Sequence, residues 1–264
     1  MAPLEIEAKA NLRKATAALY VTFARYGPRA PARECADCFR PGDFERLHGK
    51  PPRELGAGDL TRYALEAVTT WVDAKHFKYF LPRLFELQAF DPAWPVDPEM
   101  LIGKLEYAAW SGWPLSEQAA VEAYLLALWQ FTLSAFPAAR EADECLCAVG
   151  RVVDDLRPFL EAWRHHPAAT GRRHLVWFID DNAGALLETG RLANPFWEGR
   201  EGPMRQVRDW LLDPRTAALL EPALCPNHVE SLVGELSSAG ELLAGLRRRL
   251  KAPEKTSHKT AHSA

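Results

Sequence analysis

The sequence predicts an all-α protein, either an irregular multi-helix bundle or a short α-solenoid of antiparallel helix pairs. Three observations predict it. Apolar residues recur at spacings of three and four along most of the chain, as helices with one buried face require. Asp, Ser and Pro stand where those runs begin, and Gly or Pro where several of them stop. Alternation of apolar and polar residues, the mark of a half-buried strand, is nearly absent.

Taken in order, Leu4 to about Tyr26 reads as an amphipathic helix. Leu4, Ala8, Leu12, Ala15, Leu19 and Phe23 make its stripe, and Gly27-Pro28 stops it. Residues 27–58 are rich in Pro, Gly and charge and are predicted to be mostly loop, with a short helix around Phe44 to Leu47. Asp59 is the expected N-cap of a helix with Leu60, Tyr63, Ala64, Ala67, Val68 and Trp71 buried. A partner helix spans His76 to Leu87, where Pro82 either kinks the helix or marks its first turn.

Asp97-Pro98 opens the next helix, with Asp as cap and Pro at the first helical position; it ends near Trp110 to Trp113. Ser116 is the expected cap of a helix running to about Phe136. Further helices fit Glu141 to Trp163, with a break near Pro158, and Arg172 to Leu192. Met204 to Leu212, Arg215 to Leu220 and Asn227 to Leu250 complete the succession. His174 to Ile179 is the one run that also fits a strand. The pairs Asp59 to Leu87 and Pro98 to Phe136 have the length of solenoid repeats. One helical domain over residues 1–251 and a disordered polar tail over 252–264 are expected.

Composition narrows the function classes. Of 264 residues, 48% are hydrophobic and 25% charged, enough apolar surface to build a core, and nine Trp with twelve Phe make that core aromatic. A net charge of −3 argues against nucleic acid as a partner. No apolar run approaches the ~20 residues that span a bilayer, so no membrane partner is expected. The first residues lack the basic and apolar regions of a secretory signal, and five Cys, an odd number, do not form a disulfide framework. A cytoplasmic protein is expected.

One motif bears on chemistry. Cys35-Ala-Asp-Cys38 has the spacing that lets two thiolates grip one zinc ion, and Cys225-Pro-Asn-His228 supplies a matching Cys-x-x-His. Together Cys35, Cys38, Cys225 and His228 make a candidate Cys3His zinc site clamping the long loop to the C-terminal region, set against the simpler reading of unligated thiols in a loop. No other cofactor is expected. Cys145 and Cys147 lie two apart on a helix and point apart, which suits packing rather than chelation. Asp154-Asp155 and Asp180-Asp181 lack the third Asp of a diphosphate motif, with Pro158 and Gly184 in its place. His165, His166 and Glu161 read as a helix end, as does the basic run Arg247 to Arg249. Nucleophile elbows, Walker loops and dinucleotide fingerprints are missing, so no catalytic or cofactor-binding residue is assigned.

The stretch from Cys35 to Trp129 resembles a bacterial all-helical protein family with no assigned activity. The resemblance lies in Cys35-Ala-Asp-Cys38, the segment His76 to Leu87, and Gly103 to Trp110 with Trp113. It implies a bacterial cytosolic origin and transfers no site residues. The leading expectation is a protein-interaction or scaffold module, in an immunity or adaptor role, whose partner is another protein. The alternative is an enzyme or small-molecule binder whose site is assembled from distant residues, with His76, Lys78, Arg83, Glu86 and Lys104 lining a pocket between helix pairs.

Overall fold

The computed structural model describes residues 2–28, 42–68, 74–221 and 230–250 of the chain. Among these residues there are twelve α-helices, three short 3-10 turns and no extended strand. The first, α1 (Pro3–Phe23), starts on a proline, whose missing amide is harmless in a first turn. Its buried stripe is Leu12, Thr16, Leu19 and Phe23. Two shorter helices follow, α2 (Asp43–His48) and α3 (Ala57–Glu66). Asp59 is not the N-cap: Gly56 holds that position, and Asp59 reaches back to accept its amide at 3.0 Å. From the first turn its carboxylate meets the same helix dipole that a cap would. Trp71 and the tail 252–264 lie outside the described residues.

α4 (Ala74–Phe90) is buried on most sides, and Pro82 lies inside it rather than in its first turn. The proline cannot donate to the Lys78 carbonyl, which leaves one gap in the helical ladder. α5 (Pro98–Tyr107) begins at Asp97-Pro98 as expected, although the Asp97 side chain makes no cap hydrogen bond. α6 (Leu115–Ser134) starts a residue before the expected Ser116 cap, with Pro114 at the N-cap. The Pro114 carbonyl takes the amides of Glu117 at 2.8 Å and Gln118 at 3.1 Å, so Ser116 falls in the first turn.

The stretch 141–163, expected to break near Pro158, is two helices, α7 (Ala142–Val152) and α8 (Arg157–Arg164). The chain breaks at 153–156, and Pro158 sits within the opening of α8, where no amide is needed. The possible strand His174 to Ile179 lies inside α9 (Ala169–Thr189), which buries five of its six residues and exposes Trp177. α10 (Glu201–Leu211), α11 (Pro214–Ala218) and α12 (Glu230–Leu250) complete the chain.

The architecture is a multi-helix bundle. In a solenoid each helix would pack chiefly on its neighbours in the chain. Here the most extensive interfaces join α1 to α6, α5 to α7 and α9 to α12, and α3 touches α4 only lightly. Tryptophans tie the centre together: Trp163 meets Trp129 edge-on at 5.1 Å and stacks on Trp210 at 5.1 Å. Trp129 donates its indole N–H to the Phe159 carbonyl and Trp163 to that of Gly171, each at 2.8 Å, whereas the buried Trp210 N–H has no hydrogen-bond partner among the described residues.

Gly150, within α7, lets the Trp197 ring lie directly on the helix backbone. A Cβ there would stand 2.3 Å from Trp197 Cζ3. Helix propensity alone favours alanine over glycine by about 1 kcal/mol, but the clash costs about 1–3 kcal/mol. Gly150→Ala is therefore expected to destabilise the protein, which urea denaturation will register as a lower midpoint at unchanged slope. A raised midpoint would show that Trp197 moves aside freely.

Candidate functional site

The four residues of the sequence-derived zinc set, Cys35, Cys38, Cys225 and His228, all lie outside the described residues. Cys145 and Cys147 are buried free thiols in α7, as packing groups would be. Burial pushes the Cys145 thiol up to about 12, so it stays protonated. Asp155 pairs with Arg157 at 2.7 Å and Asp154 with Arg200 at 2.6 Å. His165 ends α8, its Nδ1 2.9 Å from the Glu161 carbonyl. Arg247 donates to the Leu212 carbonyl at 3.0 Å and so fastens α12 to the end of α10.

The five polar side chains expected around one pocket divide among four sets of partners. His76, 2% exposed, faces His48 of α2, with their Nε2 atoms 3.1 Å apart. The other His76 nitrogen, Nδ1, is 2.9 Å from the Tyr63 hydroxyl of α3. Arg83 pairs with Glu86 at 2.7 Å and donates to the Leu55 carbonyl, while Tyr20 donates to Glu86 at 2.6 Å. Lys104 donates to the Leu65 carbonyl, joining α5 to the end of α3.

Lys78 belongs to a buried ionic cluster. Its ammonium is 2.7 Å from Glu117 at the start of α6 and 4.1 Å from the Trp113 ring centre. Tyr26 donates to the same carboxylate at 2.7 Å, and Arg25 pairs with it. Burial alone would raise the Glu117 carboxyl, but the bonds from Lys78, Arg25 and Tyr26 outweigh it and hold it below its ordinary value. Arg25 and Tyr26 follow α1, Lys78 lies on α4 and Glu117 on α6, so the cluster fixes the end of α1 against α4 and α6. Its charges are spent on one another, which suits a structural role.

A second buried carboxyl sits where α5, α7 and α9 meet. Asn194 donates to Glu99 at 2.8 Å and to Asp143 at 3.1 Å, and Asn182 also donates to Asp143 at 3.0 Å. Glu99 is only 4% exposed, and burial raises its carboxyl to about 7 despite the bond from Asn194.

An open groove of about 580 Å³ lies between α6, the turn at Trp110–Gly112 and the connection from α7 to α8. Ala119, Ala123 and Leu126 of α6 form one wall, and Val153, Pro158 and Phe159 the other. Glu122, Asp154 and Asp155 make an acidic rim. Leu115, 82% exposed, continues the α6 wall at the same helical spacing of four. Sequence reading assigned none of this surface, because it placed only the inward positions of α6. The outward apolar residues were the available signal.

No family model, no curated protein and no solved structure matches the chain. No described helix is long and apolar enough to cross a membrane.

The Glu99 carboxyl yields a signed pH dependence. Its folded value of about 7 exceeds its ordinary 4.5, so between those values the folded state holds the extra proton. The stability it contributes is present at low pH and lost as pH rises through that window. Glu99→Gln, which mimics the neutral acid, removes the loss. Between about pH 5 and about pH 8 the natural protein should lose up to roughly 3 kcal/mol relative to the variant. Parallel stability–pH curves from denaturant titration would show that Glu99 ionises freely in the fold.

Proposed function

We propose that the protein is an interaction module whose groove beside α6 receives an apolar segment of another protein. The observation that carries this reading is the stripe of exposed Leu115, Ala119 and Ala123, continued by half-buried Leu126. It lies on a helix that already buries Val121, Tyr124, Leu125, Leu128, Trp129 and Leu133 elsewhere. A helix apolar on so many sides is normally enclosed. Small alanines at the centre of the wall let a partner backbone approach closely, and a helix in a groove is a recurrent way to use such a surface. Asp154 and Asp155 on the rim are already paired with Arg200 and Arg157, so the apolar wall rather than charge selects the segment. Scaffold or adaptor roles are the functions such a surface serves. A cytoplasmic setting belongs to the same reading, supported by the free thiols of Cys145 and Cys147.

A photo-crosslinking residue at position 123, introduced into the full-length chain in its native cell, tests this directly. A discrete protein adduct is expected from position 123 and not from position 188, which is exposed on α9. Ala119→Arg should weaken that binding by roughly 30-fold, the equivalent of an interface loss of about 2 kcal/mol, with helix content unchanged. Absence of an adduct at position 123, or the same adduct at position 188, would remove the groove as the interface.

A further inference from the structure

A small hollow of about 60 Å³ lies between the segment 136–138, the start of α7 and α9. Three aromatic rings line it, Phe136, Trp177 and Phe178. Phe136 and Trp177 meet edge to face at 4.8 Å and 79°, so they form a corner rather than a flat stack. Every other described tryptophan is buried, whereas Trp177 is 45% exposed. The same hollow carries three carboxylates, Glu141, Asp143 and Asp181, and no lysine or arginine. Burial lowers the pKa of His174, the one histidine in the lining, so it adds no positive charge at neutral pH. Asp143 already takes amides from Asn182 and Asn194. Asp181 takes no hydrogen bond or ion pair from any described residue, and burial together with the charges of Asp143 and Asp180 raises its carboxyl. A carboxylate without a partner and an open indole thus share one hollow, the combination that attracts an organic cation.

Size and chemistry narrow the choice of cation. A water-sized group needs about 10–15 Å³ of such space, so the hollow takes about four to six of them, the bulk of a trimethylammonium head. A metal ion or a primary ammonium needs several oxygen acceptors, and Asp143 is already committed to two amides. A methylated ammonium needs none, since its charge is spread over methyl groups that pack on aromatic faces. Arg173 does not line the hollow; its guanidinium lies 5.3 Å from the Phe136 ring centre, which leaves Trp177 as the ring for a ligand. We propose that the hollow bounded by Phe136, Trp177 and Asp181 binds a methylated ammonium group, Trp177 supplying the aromatic face and Asp181 the opposing charge. None of its residues lines the groove beside α6, so the two sites stand or fall separately. Two sources present such a group, a free quaternary amine such as choline and a trimethylated lysine side chain of another protein.

The full-length protein, isotopically labelled at its indole nitrogens, is titrated with choline while its tryptophan signals are followed by NMR. A parallel titration uses the uncharged isostere in which a tert-butyl group replaces the trimethylammonium. Choline is expected to move the Trp177 signal, assigned by its loss in Trp177→Ala, and to bind at least about 10-fold more tightly than the isostere. Trp177 and Asp181 are both exposed, so Trp177→Ala and Asp181→Asn should keep the fold, checked as an unchanged urea midpoint. Each should weaken choline by roughly 5–30-fold, while Glu188→Gln, exposed elsewhere on α9, leaves it unchanged. A peptide carrying one trimethyllysine separates the sources. Binding tighter than that of choline assigns the site to a modified protein, and binding weaker than that of choline assigns it to a free amine; either order supports the site. If a variant fails to fold, the comparison of choline with its isostere on the natural chain still decides. Equal affinity for the two, or no movement of the Trp177 signal with either choline or the peptide, overturns the proposal. So does full affinity in Asp181→Asn, or an equal loss in Glu188→Gln.

Discussion

α6 is the helix on which the bundle depends, because it has too little polar surface to lie on the outside. Between Leu115 and Ser134 its charged residues are only Glu117 and Glu122, and Glu117 is itself completely buried. Burial of each large apolar side chain is worth roughly 1.5–3 kcal/mol, so a helix of this composition is stable only when wrapped. α1, α7, α8 and α9 do the wrapping. Tyr124 shows how completely: its ring stacks on Phe85 at 4.6 Å and its hydroxyl donates to the Phe85 carbonyl at 2.7 Å. What these neighbours leave uncovered is a narrow apolar strip of Leu115, Ala119 and Ala123, with Leu126 half-buried at its end. The proposed interface is thus the part of a core helix that the chain does not cover for itself.

The buried charges have a different role from the apolar packing. Glu117, Lys78, Tyr26 and Arg25 would contribute little net stability over an apolar set of equal volume, since desolvation offsets most of their attraction. They do make alternative packings costly. Sliding α4 or the end of α1 along α6 would strand a carboxylate or an ammonium without a partner, a penalty of about 3–5 kcal/mol. The Glu99, Asn194, Asp143 and Asn182 network does the same where α5, α7 and α9 meet. Apolar stripes tolerate a shift of one turn; these two clusters do not.

Helix existence was legible in the sequence because spacing of three and four is a local signal. Each expected helix within the described residues is present, and the errors lie at boundaries set by competition between neighbouring residues. Pro114 began α6 before Ser116 did, and Gly56 took the cap from Asp59, which served from inside the first turn instead. The break expected near Pro158 falls slightly earlier, at 153–156, where Leu156 gives its amide to the Gln206 side chain at 2.9 Å, a tertiary bond with no local sequence signature. Helix partnership was illegible for the same reason. Nothing local tells α1 that its main neighbour is α6, about ninety residues away, so consecutive pairing was the natural expectation. His76 was visible as a polar residue on a helix, but its companion His48 sits in a segment that read as loop. Only the tertiary structure brings the two rings together.

That segment is also where helical packing is weakest. α2 has six residues, far below the roughly 12–15 at which an isolated helix becomes even marginally stable. It is held by what its side chains reach, namely Leu47 in the core and His48 against His76, Tyr79 and Phe80. α3 is similarly short at ten residues and leans on Tyr63, which joins the same cluster. An aromatic cluster of this size can position α2 but offers little resistance to its peeling away, because one side of a six-residue helix buries few large groups.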